Sequence, residues 1–443
     1  MKNQIRNTAM LIGFLYAAPL QAMDFKQAWE LALSNDPQYQ AARYANQSEQ
    51  ESVDIAKSKL LPNIRLGGSI ARNDTEQVIL ESNQDPINNT YTSERFSLSL
   101  SQPLLRMETI YDYRKSNSTA AAAKSIYAYE QQMLATKLAN AYFDVMLANE
   151  RLQQQVQSIE FLKTSLIAAE KSFKHGMGIK TDIEDAKAML DSAIADEIEA
   201  KNTLFVAEQA LSKIIGQNAS AMRMPAISLD KIPFEIANER SLDDWIQIAQ
   251  QHNPELAALR YNLESSDHEI NRRRAGHLPT LDLVASRSYA RSDTDNTIGS
   301  QYNTSSIGVQ VNIPIYSGGG VEASYRQAAA DQEELRYQFD ATSKKIELEI
   351  TKQFSQVEQN SARIRSLLTA LKSAEIALEA NKKSIYGGTR NIADVLNSEQ
   401  KLLQVRIKLS EAKYAYVVAV IKLRTSTGVI SKEDILNINR WLG

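Results

Sequence analysis

Two short stretches of this chain alternate strictly between apolar and polar residues. Phe96, Leu98 and Leu100 alternate with Ser97, Ser99 and Ser101; Ile307, Val309, Val311 and Ile313 alternate with Gly308, Gln310 and Asn312. A weaker alternation precedes each: Ile64, Leu66 and Ile70 before the first, Leu281, Leu283 and Ala285 before the second. A period of two predicts strands, over residues 63–71, 94–102, 281–286 and 307–313. Polar stretches, Asn73 to Thr92 and Arg291 to Thr304, predict the loops between them. Each strand has the length of a tilted membrane-spanning strand. The same alternation also suits a half-buried hairpin of a soluble domain.

Elsewhere the period is helical. Residues 25–60 follow it, interrupted at Asn35-Asp36-Pro37 and stopped by Leu61-Pro62, because proline disfavours helical geometry in the residue before it. Segments 104–175 and 315–386 contain no internal proline. Each would span roughly 100 Å as one helix, and helices of that length need lateral partners throughout. Each ends in a glycine turn, His175-Gly176-Met177-Gly178 and Tyr386-Gly387-Gly388, where positive φ is needed. Return helices follow over 182–215 and 391–427, so each half predicts a helical hairpin with a tight tip.

These halves are copies. Pro37, Ala41, Arg43, Tyr44 and Leu61-Pro62 recur as Pro254, Ala258, Arg260, Tyr261 and Leu278-Pro279. The offset of about 217 residues far exceeds a solenoid period. The expected division is a first repeat at 23–215, a linker at 216–240, a second repeat at 241–427 and a closing segment at 428–443. Residues 1–22 predict an export signal: Lys2 and Arg6, an apolar run from Thr8 to Ala18, and a cleavage site ending at Ala22. The run is short for a membrane anchor, the alternative reading.

Composition narrows the function. Aromatic residues make up 7% and there are three Trp, too few for several compact cores. A net charge of −3 gives no electrostatic case for nucleic acid. The absence of Cys excludes disulfides, thiol catalysis and an N-terminal lipidated Cys. His175, His252, His268 and His277 are scattered, Gly318-Gly319-Gly320 lacks the Lys-Ser/Thr of a phosphate loop, and no Gly-x-Ser-x-Gly elbow occurs. No enzyme, cofactor or metal site is expected.

Four strands fall short of the ~8 needed to close a barrel, and open edges are forbidden in lipid. Several identical chains must close it, and cyclic symmetry with three chains supplies about twelve strands. The competing class is a periplasmic or surface coiled-coil scaffold, which leaves the paired strands unexplained.

Three stretches carry a family resemblance: Gly276-His277-Leu278-Pro279-Thr280-Leu281-Asp282-Leu283, Ile313-Pro314-Ile315-Tyr316-Ser317-Gly318-Gly319, and Gly388-Thr389-Arg390-Asn391-Ile392-Ala393-Asp394-Val395-Leu396. Through them the chain resembles the TolC family of outer-membrane channel-tunnels, from Asp24 to its last helix. The resemblance implies a mainly α fold with transmembrane β: a homotrimer with an outer-membrane barrel, a periplasmic helical barrel and an equatorial belt. It implies an exit duct reached through a periplasmic adaptor and an inner-membrane transporter, either an ABC transporter or a drug/proton antiporter. Type I protein secretion is the expected machine, since a short tail and an altered tip suit a specialised member; a multidrug efflux pump is the alternative.

At the tips the resemblance implies an entrance closed by polar and ionic links. Its positions are Thr181 and Asp182 on the first hairpin, and Arg390, Asp394 and Asn397 on the second. Asp394 would ring the axis with negative charge, and Asp182 would pair with Arg390. Gly176, Gly178, Gly387 and Gly388 would shape the adaptor-docking turns. Asn397 replaces a second acid and Ile385 an aromatic latch, which implies a looser gate. Read as residues alone, Asp182 and Asp394 suit ordinary helix starts.

Overall fold

The computed structural model describes residues 23–78, 80, 85–222, 224–225, 240–386 and 391–441. The expected signal segment, most of the linker, and Gly387, Gly388 and Arg390 lie outside these residues. The chain forms two compact units, one from Met1–Gln40, Gln131–Ala249 and Glu349–Gly443, the other from Ala41–Glu130 and Gln250–Leu348.

The second unit holds the sheet. Strands β1 (Asn63–Gln77), β2 (Ile87–Leu105), β3 (Thr280–Arg291) and β4 (Gln301–Asn312) form an antiparallel meander in the order β1-β2-β3-β4. Register places Ile64, Leu100, Ala285 and Ile307 on one row, and Leu66 beside Leu98 on the next. The serines, among them Ser97, Ser99 and Ser101, face the opposite side, where the hydroxyls of Ser286 and Ser306 lie 2.8 Å apart. Phe96 lies over Gly68, where an added Cβ would sit 2.7 Å from the ring, so a glycine is required beneath this aromatic.

All four strands run further than their apolar alternation. The expected loops at 73–92 and 291–304 are partly strand, with Thr75 paired to Asn89 and Arg291 to Gln301. Backbone pairing needs no apolar side chain, so the ladder continues where both faces are polar. Pro103 also lies inside β2, at a register irregularity between Pro103 and Leu105. A residue without an N–H is tolerated at such a bulge.

The long helix α3 (Met107–Lys174) follows β2 directly. At this corner Arg106 grips Asp282 of β3 through two hydrogen bonds of 2.8 and 2.6 Å. Beyond β4 the chain turns through Gly318 (φ 61°) and Gly319 (φ 78°) into α7 (Gly320–Tyr386). The transition expected at 104 and 315 therefore comes a few residues later in each half. Around α6 (Pro254–Arg274), Glu269 accepts from Lys115 at 3.0 Å, Arg272 at 2.7 Å and Arg273 at 2.6 Å. Burial alone would raise its pKa, but these cations outweigh that and hold it down at about 2.

The other unit is helical. It contains α1 (Phe25–Asn35), α4 (Lys180–Ile215), α8 (Ile392–Ser426) and α9 (Lys432–Trp441), with most of α5 (Leu242–His252) and the distal parts of α3 and α7. Asp36 separates α1 from α2 (Pro37–Ser58), as Asn-Asp-Pro predicts; its buried carboxylate meets Lys137 at 2.6 Å. Phe25, Tyr142 and Phe143 form a fully buried aromatic centre, in which Phe25 stacks on Phe143 at 5.6 Å. The hydroxyl of Tyr142 donates to the Met23 carbonyl at 2.9 Å. On α9, Ile435, Ile438 and Trp441 are buried. Asn439 of α9 donates to Asp24 at 3.0 Å and accepts from the Lys26 amide at 3.4 Å, tying α9 to the start of α1.

Candidate functional site

The first hairpin tip is built by a glycine stop. Met177 N–H bonds the Ser172 carbonyl at 2.9 Å and Gly176 N–H bonds that of Phe173 at 3.0 Å, with Gly176 at φ 74°. This is a Schellman closure, which needs a left-handed residue at Gly176. Gly178 is favoured for a different reason: a Cβ there would lie tightly against the backbone, 3.1 Å from the Phe173 nitrogen. Phe173, Met177 and Ile179 around the turn are exposed.

Thr181 and Asp182 are inside α4 and do not cap it; the N-cap is Ile179, which has no side-chain cap bond. Asp182 sits in the first turn, where the helix dipole favours an acid. It is only 8% exposed, and among the described residues no hydrogen bond or ion pair is recorded for its carboxylate. Its expected partner Arg390 lies outside those residues.

On the second hairpin, Asn391 caps α8. Its side chain accepts from the Asp394 amide at 2.9 Å and Asp394 accepts from the Asn391 amide at 3.3 Å. The helix-start reading of Asp394 is therefore realised. Asn397, one turn on, is exposed. Ile385 packs on the cluster of Leu378, Val395 and Leu402, together with Phe161. Leu396 joins Ile159, Leu162, Ala186 and Ala193, so α8 is packed against α3 and α4 near the tip.

An interior polar seam was not anticipated from the sequence. Lys413 of α8, 8% exposed, pairs with Glu150 of α3 at 2.9 Å. Ser410 donates to the same carboxylate at 2.6 Å, and Gln154 donates to Ser410 at 3.0 Å. Burial would raise the Glu150 pKa, but Ser410 and Lys413 outweigh it and hold the carboxyl below its ordinary value. Burial and this carboxylate push the Tyr414 phenol well up. Arg151 and Glu411 extend the seam by a further ion pair. Ser410 and Lys413 are buried, while Glu150, Arg151 and Glu411 stay partly exposed, so the array ties α8 to α3 at the margin of the packed interior. Nothing marks these residues in a helix full of Glu, Lys and Arg.

Taken together, the molecule offers a sheet with one apolar face and two open edges, joined to long helices whose hairpin has an apolar, glycine-shaped tip. Among the described residues no helix is long and apolar enough to cross a membrane. The outer membrane efflux protein pattern matches residues 28–217 and 245–429, nearly all of both halves. The chain belongs to the outer membrane efflux protein family.

Its relatives include the proteases secretion protein PrtF of Dickeya chrysanthemi, 32% identical over 425 residues that cover 95% of this chain and 91% of PrtF. The alkaline protease secretion protein AprF of Pseudomonas aeruginosa is 29% identical, covering 94% and 86%. The outer membrane protein TolC of Vibrio cholerae is also 29% identical, covering 97% and 96%. Among solved structures, VceC of Vibrio cholerae superposes with a TM-score of 0.77 at 20% identity, covering 91% of this chain and 96% of VceC. CusC gives 0.80 at 19%, covering 92% of each. This efflux protein therefore has the expected fold class, mainly α with a transmembrane β portion. It is an outer-membrane channel whose helices stand in the periplasm, and its family is one of channels, not enzymes.

Proposed function

We propose that the protein is the exit duct of a type I secretion machine, passing an exported protein from an inner-membrane ABC transporter, through a periplasmic adaptor, to the outside. The observation that carries this reading is the identity to PrtF and AprF along nearly the whole chain. Three copies close one barrel, since each subunit contributes four strands and leaves two edges unpaired. The lumen is lined by the serine-rich face, which suits a water-filled passage.

The entrance lies at the hairpin tips. Asp394, fixed by its cap with Asn391, supplies an acidic ring; Asp182 and Arg390 link neighbouring hairpins, with Thr181 beside them and Asn397 leaving the ring single. The turns at Gly176, Gly178, Gly387 and Gly388 receive the adaptor. The buried Asp182 carboxylate supports a partner at that position.

Deletion of the gene tests the machine. The expected result is loss of one or a few secreted proteins from the medium, restored by the intact gene, with drug susceptibility unchanged. Broad drug sensitivity with normal secretion would instead assign the channel to a multidrug efflux pump.

A further inference from the structure

Among the described residues both outer strands of the sheet lack a neighbour on one side: β1 pairs with β2 and β4 with β3. On the trimeric reading proposed above, β4 of one subunit meets β1 of the next. That reading leaves the register of the seam open, and the apolar pattern fixes it.

Within one chain, Ile64 and Ile307 stand on the same row across the sheet, through Leu100 and Ala285. The apolar window does not follow that row. On β1 the membrane-facing positions run from Ile64 through Leu66 and Gly68, which Phe96 covers, to Ile70, and then turn polar at Arg72. On β4 they run from Ile307 through Val309 and Val311, continue to Ile313 one residue past the strand's end, and turn polar on the other side of Ile307, at Ser305. Both windows have four positions. From the shared row, the window on β1 extends toward the hairpin loops and that on β4 toward the helices. Such an offset is what strand tilt produces, because the hydrocarbon layer is level while the strands are inclined.

For the band to stay level across the seam, the upper limit on β4 must meet the upper limit on the neighbour's β1. We propose that adjacent subunits pair antiparallel with Ile307 opposite the neighbour's Ile70, Val311 opposite Leu66 and Ile313 opposite Ile64. The seam is then offset by 70 − 64 = 6 residues from the row that joins Ile64 to Ile307 within one chain. This register also gives the segment after β4 a place. Ile315 and Tyr316 are 96% and 86% exposed in the single chain, and past Ile313 they run alongside the neighbour's Leu61-Pro62 corner, where Leu61 is 51% exposed.

The chain has no Cys, so introduced pairs report cleanly. Gly308 faces the lumen side and has nothing within 4 Å of an added Cβ. In the proposed register it lies opposite Ser69. Directly opposed Cα atoms stand about 4.5–5.5 Å apart, within disulfide reach, whereas diagonal neighbours at about 7–8 Å are outside it. Gly308→Cys is combined in turn with Asn63→Cys, Gly67→Cys, Ser69→Cys and Ala71→Cys in full-length protein in outer membranes, followed by mild oxidation.

The expected result is covalent trimer from the Ser69→Cys combination, about tenfold above the others. Arg65→Cys with Asn312→Cys reads the same register should a Gly308 variant fail to fold. A maximum with Asn63→Cys would mean no offset and would overturn the register, as would a maximum at 67 or 71. Native trimers that cross-link at no pair would overturn it too. Monomers throughout, in single-Cys controls as well, would remove the seam along with the trimeric reading.

Discussion

Helix α8 buries sixteen of its thirty-five residues, while strand β4 buries none of its twelve. Both carry apolar side chains at regular intervals. The helix finds its partners, Phe161, Leu162 and Leu378 among them, in the same chain. The strand shows Ile307, Val309 and Val311 to the outside. A contiguous patch of exposed isoleucine and valine marks a surface that meets a protein or a membrane. In this sheet they mark a surface whose solvent is hydrocarbon, so the same burial measure means different things in the two regions.

The contrast can be broken by substitution. Phe143→Ala opens a cavity in the fully buried aromatic centre and should cost about 3–5 kcal/mol. Denaturant melts of the detergent-extracted protein measure it, and a loss below ~1 kcal/mol would mean that this centre does not hold the helices together. Val309→Arg should cost about 2–4 kcal/mol on folding into lipid vesicles, with Ser99→Arg on the opposite face costing little. Equal losses for the two would mean that the faces have been assigned wrongly.

A third test uses pH. The folded pKa of Glu269, about 2, lies below the 4.5 of the free side chain, so its contribution is full above pH 4.5 and drains away as pH falls toward 2. Lys115 and Arg273 are 39% and 42% exposed, so screening reduces the effect to about 1–2 kcal/mol. Stability measured between pH 5 and 2.5 should fall less steeply in Glu269→Gln than in the natural protein. Smallest is Asp394→Asn, which keeps an acceptor for the Asn391 amide and removes the charge of the proposed entrance ring. Cation block of reconstituted channels should weaken several-fold with stability unchanged; unaltered block would dismiss Asp394 from the entrance.

Much of the architecture was legible because proline and glycine punctuate it. Asn35-Asp36-Pro37, Leu61-Pro62 and Gly176 each mark a boundary through backbone geometry alone, which side-chain context does not override. Period two revealed the strands only inside the membrane band. Outside it Thr75, Glu76, Asn88 and Asn89 pair through backbone atoms, and both faces are polar, so no alternation survives to be read. Asp182 suits a helix start and does stand in the first turn of α4, but the helix begins at Lys180 after an uncapped Ile179, a boundary that no side chain marks. The Glu150–Lys413 seam was invisible because long helices carry charge on every face, and which charge turns inward depends on a partner hundreds of residues away.

The clasp of Asn439 on Asp24 and Lys26 joins positions 415 and 413 residues apart. Tyr142 and Phe143 hold Met23 and Phe25 without it, so the clasp adds a second anchor to a helix that is already docked.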